Sequence, residues 1–294
     1  MNKNRNLFIF FGLVPGFLLV LLIIIYPAAK VLYMSFFNAT ALSQNPSFIG
    51  LENFLYLLKD DNFIISLKNT LMLMLVVPVV TLFFSIVLAV LVTQAKFKEK
   101  AMYRVLFFFP SVLSLVVVGI VWSFIFNPNL GILNSFLEAI GLDSLAHMWL
   151  GDSRTALKAI GATLVWQAAG YYMVMYIAGI DRIPEELYES ATLEGAGSVR
   201  KFTVITFPFL WEVIRITFIF ALNGVVSLSF VLTTVMTGGG PGLSTSVIFL
   251  YMYNQAFTNA NFGYAMAIAV VAMIILFGLA LISNKLTERD NIEY

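Results

Sequence analysis

The chain has 294 residues, of which 60% are hydrophobic and only 11% charged, and its mean hydropathy is +0.92. A soluble domain carries about 25% charged residues, so this chain has too little polar surface to dissolve and takes lipid as its solvent. A net charge of +1 gives no electrostatic basis for holding nucleic acid, and no cysteine with a single histidine, His147, argues against a zinc site or a thiol nucleophile.

Charge-free runs of about 20 residues cross a bilayer core, and the chain holds several. The first covers about residues 7–29, behind a short basic head with Lys3 and Arg5. It exceeds the roughly 7–15 residues of a signal-peptide core, so it reads as a retained helix. Further spans fall at about 70–93, 105–126 and 159–180. From Ile216 to Asn284 no Asp, Glu, Lys, Arg or His occurs. That run is too long for one crossing, and TGGGPGLSTS (237–246) breaks it into spans at about 216–236 and 263–282. The piece between, 247–262, is apolar in part but holds Asn254, Gln255, Asn259 and Asn261.

Charge decides its status. With Met1 inside and six crossings, the inner segments collect Lys3, Arg5, Lys96, Lys98, Lys100, Arg104, Arg182, Arg200, Lys201, Arg215, Lys285 and Arg289, twelve of the seventeen basic residues. This bias follows the positive-inside rule, whereas a seventh crossing would put Lys285 and Arg289 outside. Backbone groups in hydrocarbon must be satisfied within the segment, so the spans are helices. The expectation is one all-α integral membrane domain, 1–294, with six transmembrane helices and both termini cytoplasmic.

One polar island interrupts the apolar chain, IPEELYESATLEGAGSVRKFTVITFP, residues 183–208. Pro184 suits a first helical turn, and Glu185 and Glu186 favour a helix N-terminus. Gly195 supplies a C-terminal stop, Ser198 caps a second short helix, and Pro208 closes it before the fifth span. The expectation is a short helix–turn–helix between spans four and five, presenting the small residues Ala191, Gly195 and Ala196.

No ATP-binding glycine loop occurs, and Gly238–Gly242 has no lysine near it. No span contains a charged side chain, which argues against an ion-coupled pump. The polar residues within the spans are neutral. Asn223, Ser227 and Thr234 fall near one face of the fifth, with Ser229 and Thr233 beside it. Gln167, Gly170, Tyr171 and Tyr172 stand out in the fourth. Such groups suit an uncharged, hydroxyl-rich ligand; the plainer reading is hydrogen bonding between helices.

The island also resembles the EAA-x3-G-x9-I-x-L-P loop of membrane subunits of bacterial ABC importers, through Glu189, Ala191, Gly195, Ile205 and Pro208. Ser190 stands in place of the first Ala of that pattern and Phe207 in place of the Leu. Leu13–Pro15, FIGLENF (48–54), 126–134, the run from Trp166 to Pro184, and Gly238–Pro241 with Tyr253, Ala256 and Phe257 resemble the sugar branch of that family, the maltose and multiple-sugar permeases. The resemblance implies that the loop docks on a cytosolic ATPase, with Glu189, Ala191, Gly195, Ala196, Ile205 and Pro208 as coupling residues. It implies a substrate path through Gln167, Tyr171, Tyr172, Asn223, Ser227 and Thr234, with no catalytic residue and no metal site. Implied partners are a second homologous permease, two copies of the ATPase, an extracytoplasmic solute-binding protein and a carbohydrate. No cofactor is bound directly; ATP and Mg serve the partner ATPase. The implied location is the bacterial cytoplasmic membrane. A polyol or glycerophosphodiester-like cargo, and a membrane-embedded lipid-modifying enzyme, are the alternatives.

Overall fold

The computed structural model describes residues 2–40, 45–94 and 99–287. Lys96, Lys98 and Arg289, used above for the charge bias, lie outside them. About 78% of the chain is helical, so the all-α expectation holds. In chain order the elements are α1 (Asn2–Val20), α2 (Tyr26–Met34), a two-stranded antiparallel hairpin β1 (Phe37–Asn38) and β2 (Ser47–Phe48), and α3 (Glu52–Leu57). Then come α4 (Asp61–Gln94), α5 (Lys100–Val112), α6 (Leu115–Ile125), α7 (Ile132–Ala139), α8 (Ala156–Ile180), α9 (Glu185–Leu193) and α10 (Ser198–Lys201). The series ends with α11 (Phe207–Met236), α12 (Ile248–Tyr253) and α13 (Phe262–Thr287).

Among the described residues four helical stretches are long and apolar enough to cross a membrane: Ile9–Met34, Asp61–Thr93, Ser198–Met236 and Phe262–Lys285. The expected span at 105–126 is a bent pair. Leu113 and Ser114 take extended backbone (ψ 144° and 130°), and α5 and α6 meet at 98°. Neither Gly nor Pro stands at that break, so the local sequence does not announce it. Helix α8 covers the expected fourth span but is not among the four. Gln167, Trp166 and its tyrosines lower its hydropathy, and it compensates by burial, with Ile160, Met173 and Tyr176 at 0% exposure. The segment 248–258 is a six-residue α-helix with a five-residue π-turn. At about 1.5 Å per residue it covers roughly half of a 30 Å bilayer core.

Two π-turns accommodate Pro27 and Pro208 within continuous helices. The N–H of Tyr26 bonds back to the carbonyl of Leu21, just before Pro27. The N–H of Phe207 bonds to the carbonyl of Phe202, just before Pro208. Proline lacks an N–H and its ring crowds the carbonyl four residues back; a widened turn makes room. Pro208 therefore does not close a short helix, because the chain runs helically from Ser198 to Met236.

The chain divides into two compact units, Met1–Ile64 with Tyr251–Ile275, and Ile65–Leu250 with Leu276–Tyr294. In the second, helices approach through small residues, the expected device where lipid offers no hydrophobic drive between helices. A Cβ on Gly170 of α8 would fall 1.7 Å from the carbonyl oxygen of Phe107 on α5. A Cβ on Gly179 would meet the Leu210 side chain of α11 at 2.6 Å, and one on Gly119 of α6 the Val235 side chain at 2.9 Å. Tyr176 and Thr217 share a buried hydrogen bond of 2.7 Å between α8 and α11. The Ser85 hydroxyl of α4 donates to the Ala169 carbonyl at 2.8 Å. The glycine-rich loop after α11 is tied down as well, for Asn69 donates to the carbonyls of Leu243 and Ser246. Gly238 and Gly239 supply the positive φ (61° and 92°) that the turn requires.

The first unit is organised by Asp60, the N-cap of α4. Its Oδ1 accepts the backbone N–H of Asn62 (3.0 Å) and Phe63 (3.4 Å), while Oδ2 accepts the hydroxyls of Tyr251 and Tyr264, each at 2.5 Å. Burial pushes its carboxyl up, but these four donors outweigh burial and hold it below the usual 3.8.

Gly170→Leu drives a side chain into the Phe107 carbonyl and costs about 1–3 kcal/mol or more by overpacking, read as a lower Tm of the detergent-purified chain. Gly161→Ala leaves Tm nearly unchanged, since its Cβ meets Leu73 at an ordinary 3.5 Å. A lowered carboxyl stabilises the fold above its usual 3.8, and that contribution disappears as pH falls through the lowered folded value. Asp60→Asn should therefore lower Tm at neutral pH and flatten its decline on the acid side in thermal unfolding across a pH series.

Candidate functional site

The polar island folds as α9, a tight turn and the start of the long α10–α11 helix. Pro184 occupies the N-cap, outside the first turn, with φ −56° and ψ 130°. Glu185 and Glu186 fill the first turn, where negative charge opposes the helix dipole. The helix ends as a Schellman turn: the Ala196 N–H bonds to the Ala191 carbonyl at 2.8 Å and the Gly195 N–H to the Thr192 carbonyl at 3.0 Å. Gly195 takes φ +78°, which explains the glycine: a side chain there has free space but a strained backbone. Ser198 is not the cap of the second helix. Gly197 holds that position, and no side chain bonds there.

The island divides into an anchored side and a free side. Ile205 is buried (9% exposed), Pro208 is half-buried, and Tyr188 and Thr206 share a hydrogen bond of 2.9 Å. Lys201 donates to the Thr192 hydroxyl at 2.7 Å, bracing α9 against α10. Glu189 and Gly195 are exposed, Ala191 and Ala196 half-buried. Between them stands Leu193, 91% exposed, with Val199 at 78%. The motif reading passed over Leu193. Its signal lies in the fold, where the Schellman turn leaves a large apolar side chain beside the glycine. The ion pair between Arg104 of α5 and Asp181, just after α8, spans 3.4 Å at a half-exposed surface. Such a pair contributes about 0–1 kcal/mol.

The polar residues of the spans do not form one stripe. Asn223, Ser227 and Thr234 share the exposed face of α11, while Ser229 and Thr233 are buried. Asn223 donates to the Ile219 carbonyl and Thr234 to that of Phe230, each on its own helix. On α8 Tyr171 is exposed, Gln167 half-buried and Tyr172 buried, with the two tyrosine rings edge-on at 5.2 Å. Tyr172 lines an interior cavity of about 20 Å³ with Thr81, Pro78 and Gly224. That volume holds about one water, and the Thr81 hydroxyl there has no protein partner. Thr81 was missed because it is a lone hydroxyl in an apolar run. His147 packs its ring against Trp149 at 5.6 Å. Asn134 fixes this loop, donating to the carbonyls of Pro128 and His147 and accepting the Trp149 indole N–H at 2.7 Å. Among the described residues no three His, Cys, Asp or Glu side chains gather as metal ligands.

Comparison with known proteins gives a consistent picture. No protein-family model matches the chain. It is 37% identical to the probable ABC transporter permease protein YurN of Bacillus subtilis over 286 residues, 97% of both chains. It is 33% identical to the diacetylchitobiose uptake system permease protein NgcF of Streptomyces coelicolor, over 93% of this chain and 81% of that one. The fold matches a subunit of a bacterial alginate ABC transporter, solved in complex with an alginate pentasaccharide-bound periplasmic protein, with a TM-score of 0.85. That likeness covers 98% of this chain and 96% of the other at 23% identity. The chain thus belongs to the family of ABC-transporter permease subunits, which are transport components rather than enzymes.

Proposed function

We propose that the chain is one of two homologous permease subunits of an importer in the bacterial cytoplasmic membrane, moving a carbohydrate of oligosaccharide size into the cell. Six crossings carry it, with α5 and α6 forming the third as a bent pair and both termini cytoplasmic. The whole chain acts as a single membrane domain. Two copies of a cytosolic ATPase, which uses ATP and Mg, supply the energy, and an extracytoplasmic binding protein delivers the cargo. The diacetylchitobiose and multiple-sugar systems named among the relatives support the cargo class. The absence of charge between Ile216 and Asn284 supports an uncharged, hydroxyl-rich solute. Family membership sets aside the lipid-modifying enzyme.

The observation that carries the coupling role is the free side of the polar island. Glu189, Ala191, Gly195 and Ala196 stand with Leu193 on a turn braced from behind by Ile205, Pro208 and the Tyr188–Thr206 bond. A rigid convex knob with one apolar tip and a charged rim suits a groove on another protein. On the path side we assign Asn223, Ser227 and Thr234 of α11 and Gln167 and Tyr171 of α8 to the route of the solute. Tyr172 shapes that route from behind, since it is buried.

Gly195→Pro or Glu189→Lys should uncouple the importer. Uptake falls at least about tenfold, the effect of losing roughly 1.4 kcal/mol of coupling, while membrane abundance stays normal. Radiolabelled oligosaccharide uptake alongside ATPase co-purification reads both, and normal uptake would remove the island from coupling. Asn223→Leu should lower uptake while the ATPase still co-purifies; unchanged transport kinetics would take Asn223 off the path.

A further inference from the structure

The first compact unit contains a polar cleft that neither the coupling role nor the path uses. Its volume is about 470 Å³, within the range of small-molecule sites, and it lies between the β1–β2 hairpin, α3 and the start of α13. Asn38, Glu52, Asn53, Tyr56, Lys59 and Asn261 supply its polar lining.

The walls are held from behind. Asn53 donates its amide hydrogens to the carbonyls of Ser35 (2.8 Å) and Phe37 (3.1 Å), so α3 and the hairpin move together. Thr40 and Asn261 form a β-bridge, and the Gly263 N–H bonds to the Ala39 carbonyl at 3.0 Å. A Cβ on Gly263 would lie 2.0 Å from the Phe37 carbonyl, so α13 starts in direct backbone contact with the hairpin. Tyr264 is fixed by Asp60 and meets the Tyr56 ring at 5.1 Å, nearly perpendicular. Against this frame the functional groups stay free. Tyr56 is 61% exposed, and Glu52 and Lys59 are exposed and in no ion pair among the described residues.

The chemistry selects a class of ligand. One carboxylate and one ammonium cancel, which disfavours phosphate or any other strongly charged solute. The two amides of Asn38 and Asn261, the carboxylate and the ammonium provide donors and acceptors together, and an aromatic face lies among them. Hydroxyl-rich rings use that combination: amides and carboxylates bind the hydroxyls, and an aromatic ring covers the apolar C–H face. Prearranged walls reduce the ordering cost of such a contact.

We propose that this cleft is a carbohydrate-binding site on the extracytoplasmic side, separate from the route along α8 and α11. The side and the cargo rest on the reading given under the proposed function. The site holds a sugar unit by stacking on Tyr56 and by hydrogen bonds to Glu52, Asn38 and Asn261.

The test uses the complete importer in lipid nanodiscs without its binding protein, probed by saturation-transfer NMR with maltotriose, N,N′-diacetylchitobiose and raffinose. At least one probe should show transfer. Glu52→Gln should weaken it by roughly tenfold, the loss expected for a hydrogen bond to a charged group. Tyr56→Ala should abolish transfer to the ring C–H protons, and Arg154→Ala, in an exposed loop outside the cleft and the route, should leave the signal in place. Uptake of the same probes with the binding protein present separates the two readings. Probes that are transported but show no transfer, or transfer indifferent to both cleft variants, overturn the cleft and leave the cargo reading standing. Cleft variants that alter only the affinity of the binding protein also overturn it, making the cleft a protein contact. Probes neither transported nor bound overturn the cargo reading and the cleft with it.

Discussion

Hydrocarbon offers a backbone no hydrogen-bond partner and offers apolar side chains no reason to leave it. Every other feature follows from that pair of constraints. The first forces the chain into helices and makes each interruption costly. The second means that helices adhere by close approach rather than by hiding from water. Gly170 against the Phe107 carbonyl is the clearest instance, since α5 and α8 meet there at a distance only glycine permits. Gly179 and Gly119 repeat the device on either side of α11, and Tyr176 with Thr217 adds one buried polar bond.

The same constraint explains where irregular backbone is tolerated. Two of the three π-turns among the described residues stand immediately before a proline, where a widened turn admits the ring. The glycine-rich loop after α11 is irregular, yet its carbonyls at Leu243 and Ser246 are taken by Asn69 and the Ser246 hydroxyl pairs with that of Ser66. Asp60 plays the equivalent part in the other unit, where one carboxylate caps α4 and gathers two tyrosines. Polar groups in this protein are few, and those that are buried mostly fasten one segment to another.

For the polar island, this economy gives a mechanical reading of the proposed coupling. The π-turn at Phe202–Thr206 joins α10 to α11 without a break, so the proposed docking turn leads directly into a helix that continues to Met236. A push at Leu193 or Gly195 is then carried by a continuous helix, not absorbed by a slack loop. The two-helix handle expected from the sequence is thus one short helix set against the tip of a long one.

The amino-acid pattern by itself determined the solvent, the helical class, the polar island and its spacing from Glu189 to Pro208, because these depend on local composition and on short-range turn chemistry. It showed why Gly195 is a glycine before the φ of +78° was seen. It misjudged Pro208, which enters a continuous helix through a π-turn, and did not show the break at Leu113–Ser114 within the third span, because an extended pair there carries no local mark. Only the tertiary structure separated Tyr171 from Tyr172 and Asn223 from Ser229. Neighbouring residues on a helix differ by about 100°, and which face is covered depends on a partner helix far away in sequence. Asp60 with Tyr251 and Tyr264 shows the same limit across roughly two hundred residues of chain, a separation no periodicity can report.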